Sequence, residues 1–376
     1  MIPYNKPFLT GKETTYIEEA VASGKISGDG IFTKRCQQLL QEKYGFKKCL
    51  LTSSCTDALE MAALLANIQP GDEVIAPSYT FVSSVNPFVL RGAVIQFCDS
   101  RADHPGIDEH KIEQLITSKT KAIVVTHYAG IACDMDLIMD IAKRYTLVVV
   151  EDAAHAIDSF YKGRPLGSLG HSSAFSFHET KNIIAGEGGM IVLNDAALVE
   201  RAEIIREKGT NRSKFFRGEV DKYGWVDVGS SFLPSDITAA FLYAQLENVE
   251  QIQSRRKQIW NHYFTALLPM QNEGLLQLPQ LPEYATNNGH IFYMVCKTPD
   301  ERDALIAYLQ QNGILAIFHY LPLHMSAFYA SKYKGSSLPM AEKYADQLVR
   351  LPLFYTLTEN EQLYIIDKVN AFYAYK

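Results

Sequence analysis

Three short segments carry residue types that could do chemistry together. Ser53-Ser54-Cys55-Thr56-Asp57 follows the apolar run 48–52 and leads into a helical pattern. Small hydroxyl residues at a helix start offer free backbone N–H groups and side-chain donors, which can cradle a phosphate. The plainer reading of the same residues is an ordinary N-cap. Asp152 closes the very apolar run Val148-Val149-Val150-Glu151. A carboxylate there is costly unless a cation meets it, although a helix N-cap beside a basic residue would also explain it. Lys181 lies just past the run 173–177 and before the turn Gly186-Glu187-Gly188-Gly189. A desolvated lysine with a lowered pKa is the usual Schiff-base nucleophile, whereas a solvated loop lysine does nothing. Each segment alone has its ordinary reading. Together, a phosphate cradle, a strand-end aspartate and a lysine make a pyridoxal phosphate site. The lysine carries the cofactor, the aspartate keeps the pyridine nitrogen protonated, and the helix start holds the phosphate.

The elements that must bring these residues together are legible as a rhythm. Short runs rich in β-branched and aromatic residues occur at 48–52, 73–76, 94–98, 122–126, 147–151, 173–177 and 189–193. Helical patterns lie between them at 56–66, 83–91, 109–118 and 135–145, and a further one at 197–208. Alternation of this kind predicts a mainly parallel sheet covered on both faces, an α/β fold. Function in such sheets collects at the carboxyl ends of the strands, where all three segments fall. After about residue 245 the pattern changes. Helical segments at 248–268 and 300–311 flank strand candidates at 291–296 and 316–318, which predicts a smaller α+β domain. The expected division is 1–245 and 246–376.

Composition narrows the function classes. The 376 residues hold 36 Lys and Arg against 42 Asp and Glu, a net charge of −6, which argues against a nucleic-acid binder. No run of 18 apolar residues predicts a membrane span, and the N-terminus lacks a signal-peptide pattern. The six cysteines are scattered without a CxxC pair, as expected of reduced cytoplasmic thiols. No HExxH motif is present, nor either of the familiar Gly-rich phosphate motifs, and no metal site is expected.

The segments Asp152-Ala153-Ala154-His155, Ser176-Phe177-His178-Glu179-Thr180-Lys181-Asn182 and Gly186-Glu187-Gly188-Gly189 resemble the sugar-nucleotide aminotransferases of the DegT/StrS family. Pro77-Ser78-Tyr79-Thr80-Phe81, Gly71-Asp72-Glu73-Val74 and His319-Tyr320-Leu321-Pro322-Leu323-His324 extend the resemblance over nearly the whole chain. It implies the fold-type-I architecture of pyridoxal phosphate enzymes: a three-layer α/β/α large domain with a seven-stranded, mostly parallel sheet, and a small C-terminal domain. By the same resemblance Lys181 bears the cofactor and later shuttles the proton, and Asp152 pairs with the pyridinium nitrogen. His155 would lie near the phenolic oxygen. Cys55, Thr56, Asp57 and Ser176 would bind the phosphate, and Phe81 would stack on the ring, unless it is a plain core aromatic.

The family commonly has a Gly-x-Asn-x-Arg segment whose Asn reaches the partner subunit's cofactor phosphate. Here that segment is Gly229-Ser230-Ser231-Phe232-Leu233, so Ser231 takes the Asn position and Leu233 the Arg position. The stretches 28–38 and 206–213 resemble the members that aminate C4 of TDP-4-keto-6-deoxy-D-glucose with L-glutamate, in cell-surface polysaccharide synthesis. Amination at C3 is the alternative within the family. Relatives that are dehydratases carry histidine in place of the lysine, and a non-catalytic binding protein would not need both Lys181 and Asp152. A nucleotide diphosphate needs cationic contacts, for which Arg212, Lys214 and Arg217 are the candidates. Ser27, Gly28, His319 and Tyr320 are the expected neighbours of the sugar. The resemblance further implies a homodimer with shared active sites.

Overall fold

The computed structural model describes residues 1–374. Seven strands form one sheet: β1 (Lys48–Thr52), β2 (Glu73–Pro77), β3 (Val94–Cys98), β4 (Thr120–Thr126), β5 (Val148–Asp152), β8 (Ser172–Ser176) and β9 (Gly189–Leu193), the labels β6 (Phe160–Tyr161) and β7 (Arg164–Pro165) belonging to a small separate hairpin. The order is β1-β9-β8-β5-β4-β2-β3. Only β9 runs against the rest, pairing antiparallel with both β1 and β8. The expected seven-stranded, mostly parallel sheet is therefore present.

Alternating residues of each strand feed opposite layers, as a strand period of two dictates. Leu51, Ile123 and Val149 pack toward α2 (Ile31–Tyr44), α5 (Met135–Tyr145) and α8 (Asp236–Leu246), with α1 (Glu13–Ala22) outside them. Leu50, Val124 and Val150 pack toward α3 (Cys55–Leu65), α4 (Asn86–Leu90) and α6 (Val199–Arg206). A short α7 (Arg212–Phe216) follows α6. The C-terminal part has its own core, in which α9 (Val249–Asn272), α10 (Pro299–Gln311) and α12 (Glu359–Ala374) cover the antiparallel pair β10 (Phe292–Val295) and β11 (Leu348–Leu351). It also shares a core with the main sheet, through Ile291, Tyr293 and Tyr344 of α11 (Pro339–Gln347).

Several expectations need correction. The segment 109–118 is not a helix but two 3₁₀ turns, Glu109–Lys111 and Glu113–Leu115. The buried Glu109 carboxylate takes the Arg101 guanidinium and the Asp134 N–H, so tertiary contacts override the local pattern. The expected helix at 83–91 breaks into a 3₁₀ turn and α4, with Pro87 in the first turn of α4. Ile317 makes only an isolated bridge to Arg350 where a strand was expected at 316–318; the partner of β10 is β11 instead.

Candidate active site

The carboxyl ends of β4, β5 and β8 open into a cavity of about 600 Å³. Its floor is Asp152, the last residue of β5 and 5% exposed. Ser84 donates to its Oδ2 at 2.5 Å and the Ala154 N–H to its Oδ1 at 3.1 Å. Thr80 Oγ1 lies 2.7 Å from Ser84 Oγ and 3.0 Å from Thr126 Oγ1, so a chain of hydroxyls orients the carboxylate. Burial pushes the Asp152 carboxyl up, and the Ser84 hydroxyl pulls it back down. A cation bound against it would complete the compensation.

Lys181 lies in the turn after β8, held by backbone bonds Lys181 N–H to His178 O and Glu179 N–H to Gly186 O. Asn182 fixes the same turn from below, donating to Gln253 Oε1 and Asn288 O and accepting from His290 Nδ1. Burial, with a smaller contribution from Arg350, lowers the Lys181 pKa to about 8 against the pull of Cys55 and Asp152. The side chain is thus an amine for a sizeable fraction of the time at neutral pH, as a nucleophile or proton carrier must be.

The start of α3 forms the third wall. Ser54 caps it by accepting from the Asp57 N–H at 3.0 Å. Cys55, Thr56 and Ser176 line the cavity beside it. Gly189 is what allows β9 this close: a Cβ there would overlap the Ser54 carbonyl and the Cys55 nitrogen. Free N–H groups and hydroxyls at one end, a buried carboxylate and an amine elsewhere in the same cavity, fit the phosphate, ring nitrogen and aldehyde of pyridoxal phosphate.

His155 follows β5. The Ala129 N–H points at its Nδ1 (3.3 Å), so the neutral ring carries its proton on Nε2, 3.4 Å from the Tyr320 hydroxyl. Burial first, then Lys181 and Arg350, hold its pKa well below the ordinary value. His290 and His319 lie against it, with ring centroids 4.4 and 6.0 Å away, and both are likewise held neutral by burial. Phe81 is 55% exposed, so it is not a core aromatic; it lines the cavity 6.1 Å from the Tyr320 ring.

The family model for "DegT/DnrJ/EryC1/StrS aminotransferase family" matches residues 7–370. The chain belongs to this family. It is 34% identical to a GDP-perosamine synthase from Escherichia coli O157:H7, over all of this chain and 99% of that one. It is 31% identical to the spore coat polysaccharide biosynthesis protein SpsC of Bacillus subtilis, over 98% and 96% of the two chains. A putative sugar aminotransferase from Streptococcus pneumoniae, solved in its PMP form, superposes with a TM-score of 0.90 at 28% identity, over 99% of each chain. This sugar aminotransferase is accordingly a pyridoxal phosphate enzyme with the α/β architecture of fold type I.

Of the residues singled out from the sequence, Cys55, Thr56, Phe81, Asp152, His155, Ser176, Lys181, His319 and Tyr320 line one cavity in this aminotransferase. Asp57, in the first turn of α3, gives its N–H to the Ser54 cap and is not part of the lining. Ser231 is exposed and bridges to Glu207. Ser27, Gly28, Arg212, Lys214 and Arg217 lie outside the lining. Lys214 pairs with Glu200 at 2.6 Å and Arg217 with Glu203 at 2.8 Å. Sequence reasoning missed Tyr4, Thr80, Thr126, His290 and Arg350. Arg350 had a signal: a charged residue inside the apolar run Leu348-Val349-Arg350-Leu351.

Proposed function

We propose that this aminotransferase moves the amino group of L-glutamate to C4 of TDP-4-keto-6-deoxy-D-glucose, giving TDP-4-amino-4,6-dideoxy-D-galactose and 2-oxoglutarate. The observation carrying the transamination is the convergence of Lys181, Asp152 and the start of α3 on one cavity. The substrate rests on the stretches 28–38 and 206–213 and on Ser231 and Leu233 at the Asn and Arg positions. Pyridoxal phosphate supplies an electron sink for a carbanion next to nitrogen. Lys181 bonds the cofactor at rest, then takes and returns the proton at the substrate carbon. Asp152 holds the ring nitrogen protonated. His155 donates from Nε2 toward the phenolic oxygen, and Phe81 covers the ring. The backbone at Cys55 and Thr56, with the Thr56 and Ser176 side chains, holds the phosphate.

The working enzyme is a cytoplasmic homodimer in this reading, with 1–245 as the cofactor domain and 246–376 as the smaller one. In support, Phe216, Trp225, Val226 and Val228 leave an apolar strip exposed on the single chain, Trp225 to 83%, next to Ser231. Ser231 of one protomer would then donate to the phosphate held by the other, and the 212–217 segment would meet the nucleotide. No helix among the described residues is long and apolar enough to cross a membrane. A second reading, a GDP-linked keto sugar, is favoured by the similarity to the GDP-perosamine synthase. Offering TDP- and GDP-linked 4-keto-6-deoxyhexoses with glutamate, and solving the product by NMR, separates the two. Faster turnover of the GDP-linked sugar, or amination at C3, overturns the first reading.

A further inference from the structure

One cation in the cavity has no counter-charge. Arg350 sits on β11, its backbone paired with Ile317 in both directions. Its side chain lines the cavity, and its Nε is buried with no acceptor. Among the described residues its guanidinium makes no ion pair or hydrogen bond, only a ring contact with Tyr4 at 5.8 Å. A guanidinium always keeps its charge and carries five donors, so leaving it partly buried and unpaired is costly.

Nothing nearby supplies the missing anion. Asp152 is occupied by Ser84 and Ala154, and is reserved for the ring nitrogen. Glu187, the other acid of the lining, is 72% exposed at the rim and faces His178 at 3.6 Å. The other titratable groups around Arg350 are Lys181, Arg256, the histidines His155, His290 and His319, and the tyrosines Tyr79, Tyr128 and Tyr320; its charge lowers the pKa of each, while burial keeps the tyrosines protonated. Arg256 is satisfied by the carbonyls of Gly289, His290 and Leu353. The histidines are neutral, so they do not compete for an anion.

We infer that Arg350 is the anchor for the carboxylate borne on the reacting carbon of the amino-acid donor. This rests on the aminotransferase reading with glutamate. A guanidinium matches a carboxylate in two parallel hydrogen bonds, which fixes orientation as well as position. Arg350 enters the cavity from β11, its backbone bonded to Ile317 two residues before His319, and it shares that cavity with Lys181. The donor's α-carboxylate is one bond from the reacting carbon, whereas a nucleotide diphosphate is a whole sugar ring from the ketone. The position therefore suits the amino acid. The phosphate of the cofactor has its own donors at the start of α3. When the keto sugar replaces the amino acid, the same donors face sugar hydroxyls, which accept the same bonds more weakly.

The test compares wild-type, Arg350→Gln and Arg350→Lys holoenzymes. L-Glutamate and 4-aminobutyrate, the analogue lacking only that carboxylate, are titrated against the visible absorption of the cofactor. TDP binding is followed by calorimetry. Arg350→Gln should weaken glutamate about 10- to 100-fold, the value of a lost charged hydrogen-bond pair. It should leave 4-aminobutyrate and TDP unchanged, and Arg350→Lys should recover part of the loss. Unchanged glutamate affinity overturns the inference. So does an equal loss for both amines, which would put Arg350 at the distal carboxylate or in a structural role. Loss of TDP binding alone would assign it to the diphosphate instead. If Arg350→Gln fails to fold, Arg350→Lys decides: an undiminished glutamate affinity with a non-forked cation refutes the bidentate anchor. A wild-type holoenzyme that glutamate does not bleach refutes the donor reading itself, which separates that failure from the others.

Discussion

Raising the pH on the cofactor-free enzyme exposes the state of Lys181 directly. The aldehyde of pyridoxal phosphate reacts only with the uncharged amine. With a pKa of about 8, roughly one Lys181 in ten is uncharged at pH 7, against roughly one in three thousand for a lysine at 10.5. Covalent loading should therefore rise about tenfold per pH unit up to 8 and then level off, gaining only about twofold between pH 8 and 10. An ordinary lysine would gain nearly a hundredfold over that same interval. Stopped-flow absorbance with the cofactor in excess reads the rate, and borohydride reduction with peptide mapping confirms Lys181 as the site.

Stability gives a second reading of the same shift. Lys181 has a folded pKa below its unfolded value, so it costs the folded apoenzyme a few kcal/mol wherever both states are charged, below about pH 8. That cost fades as pH rises from 8 toward 10.5. Lys181→Met should melt higher than wild-type apoenzyme at pH 7, and the gap should close by pH 10. A loading rate still climbing tenfold per unit beyond pH 9 would refute the argument that burial and Arg350 outweigh Asp152 at this amine. Label on another lysine would refute the site.

Asp152→Asn should retain cofactor but lose about 100- to 1,000-fold in kcat, since an amide cannot stabilise the charged ring nitrogen; near-normal turnover would remove Asp152 from that role. Gly189→Ala should cost about 1–3 kcal/mol in thermal stability and weaken the cofactor, because its Cβ drives against Ser54 and Cys55 at the phosphate end of α3. Unchanged cofactor affinity on dialysis would show that α3 does not depend on that approach. Sedimentation should find a dimer, and Trp225→Glu should shift it toward monomers with loss of activity; a fully active monomer would refute shared sites.

The large sheet was legible because each strand is a short apolar run closed by small or polar residues, and because both faces are covered. Asp152 and Lys181 were legible for the same reason: polar residues at the ends of buried strands have few ordinary excuses. His290, Tyr4 and Arg350 were not, since each reaches the cavity from a segment more than 100 residues away in the chain from Lys181. Glu109 shows the opposite failure. Its segment reads as a helix, but a buried carboxylate bonded to Arg101 and Asp134 fixes it as two turns. The strand 348–351 was hidden by Arg350, which breaks its apolar pattern for what we take to be a binding reason.

This contrast between the two halves of the site has a physical origin. The cofactor never changes, so its grip can be built from strand ends of a single sheet, whose register leaves little freedom. In the proposed reading the two substrates alternate in one cavity, and their recognition falls to groups on separate segments: β11, the 319–324 loop and the 212–217 segment. In the single chain, Lys214 and Arg217 of that segment are already paired with Glu200, Glu203 and Glu219. The exposed pairs with Glu200 and Glu219 are worth about 1 kcal/mol or less, and the buried Glu203 keeps Lys48 at 3.0 Å, so exchanging these carboxylates for a diphosphate costs little. Arg350 has no such internal partner to exchange. That difference is why we assign the small, charged amino acid to the fixed cation on the strand, and the large nucleotide to the cations that can be released.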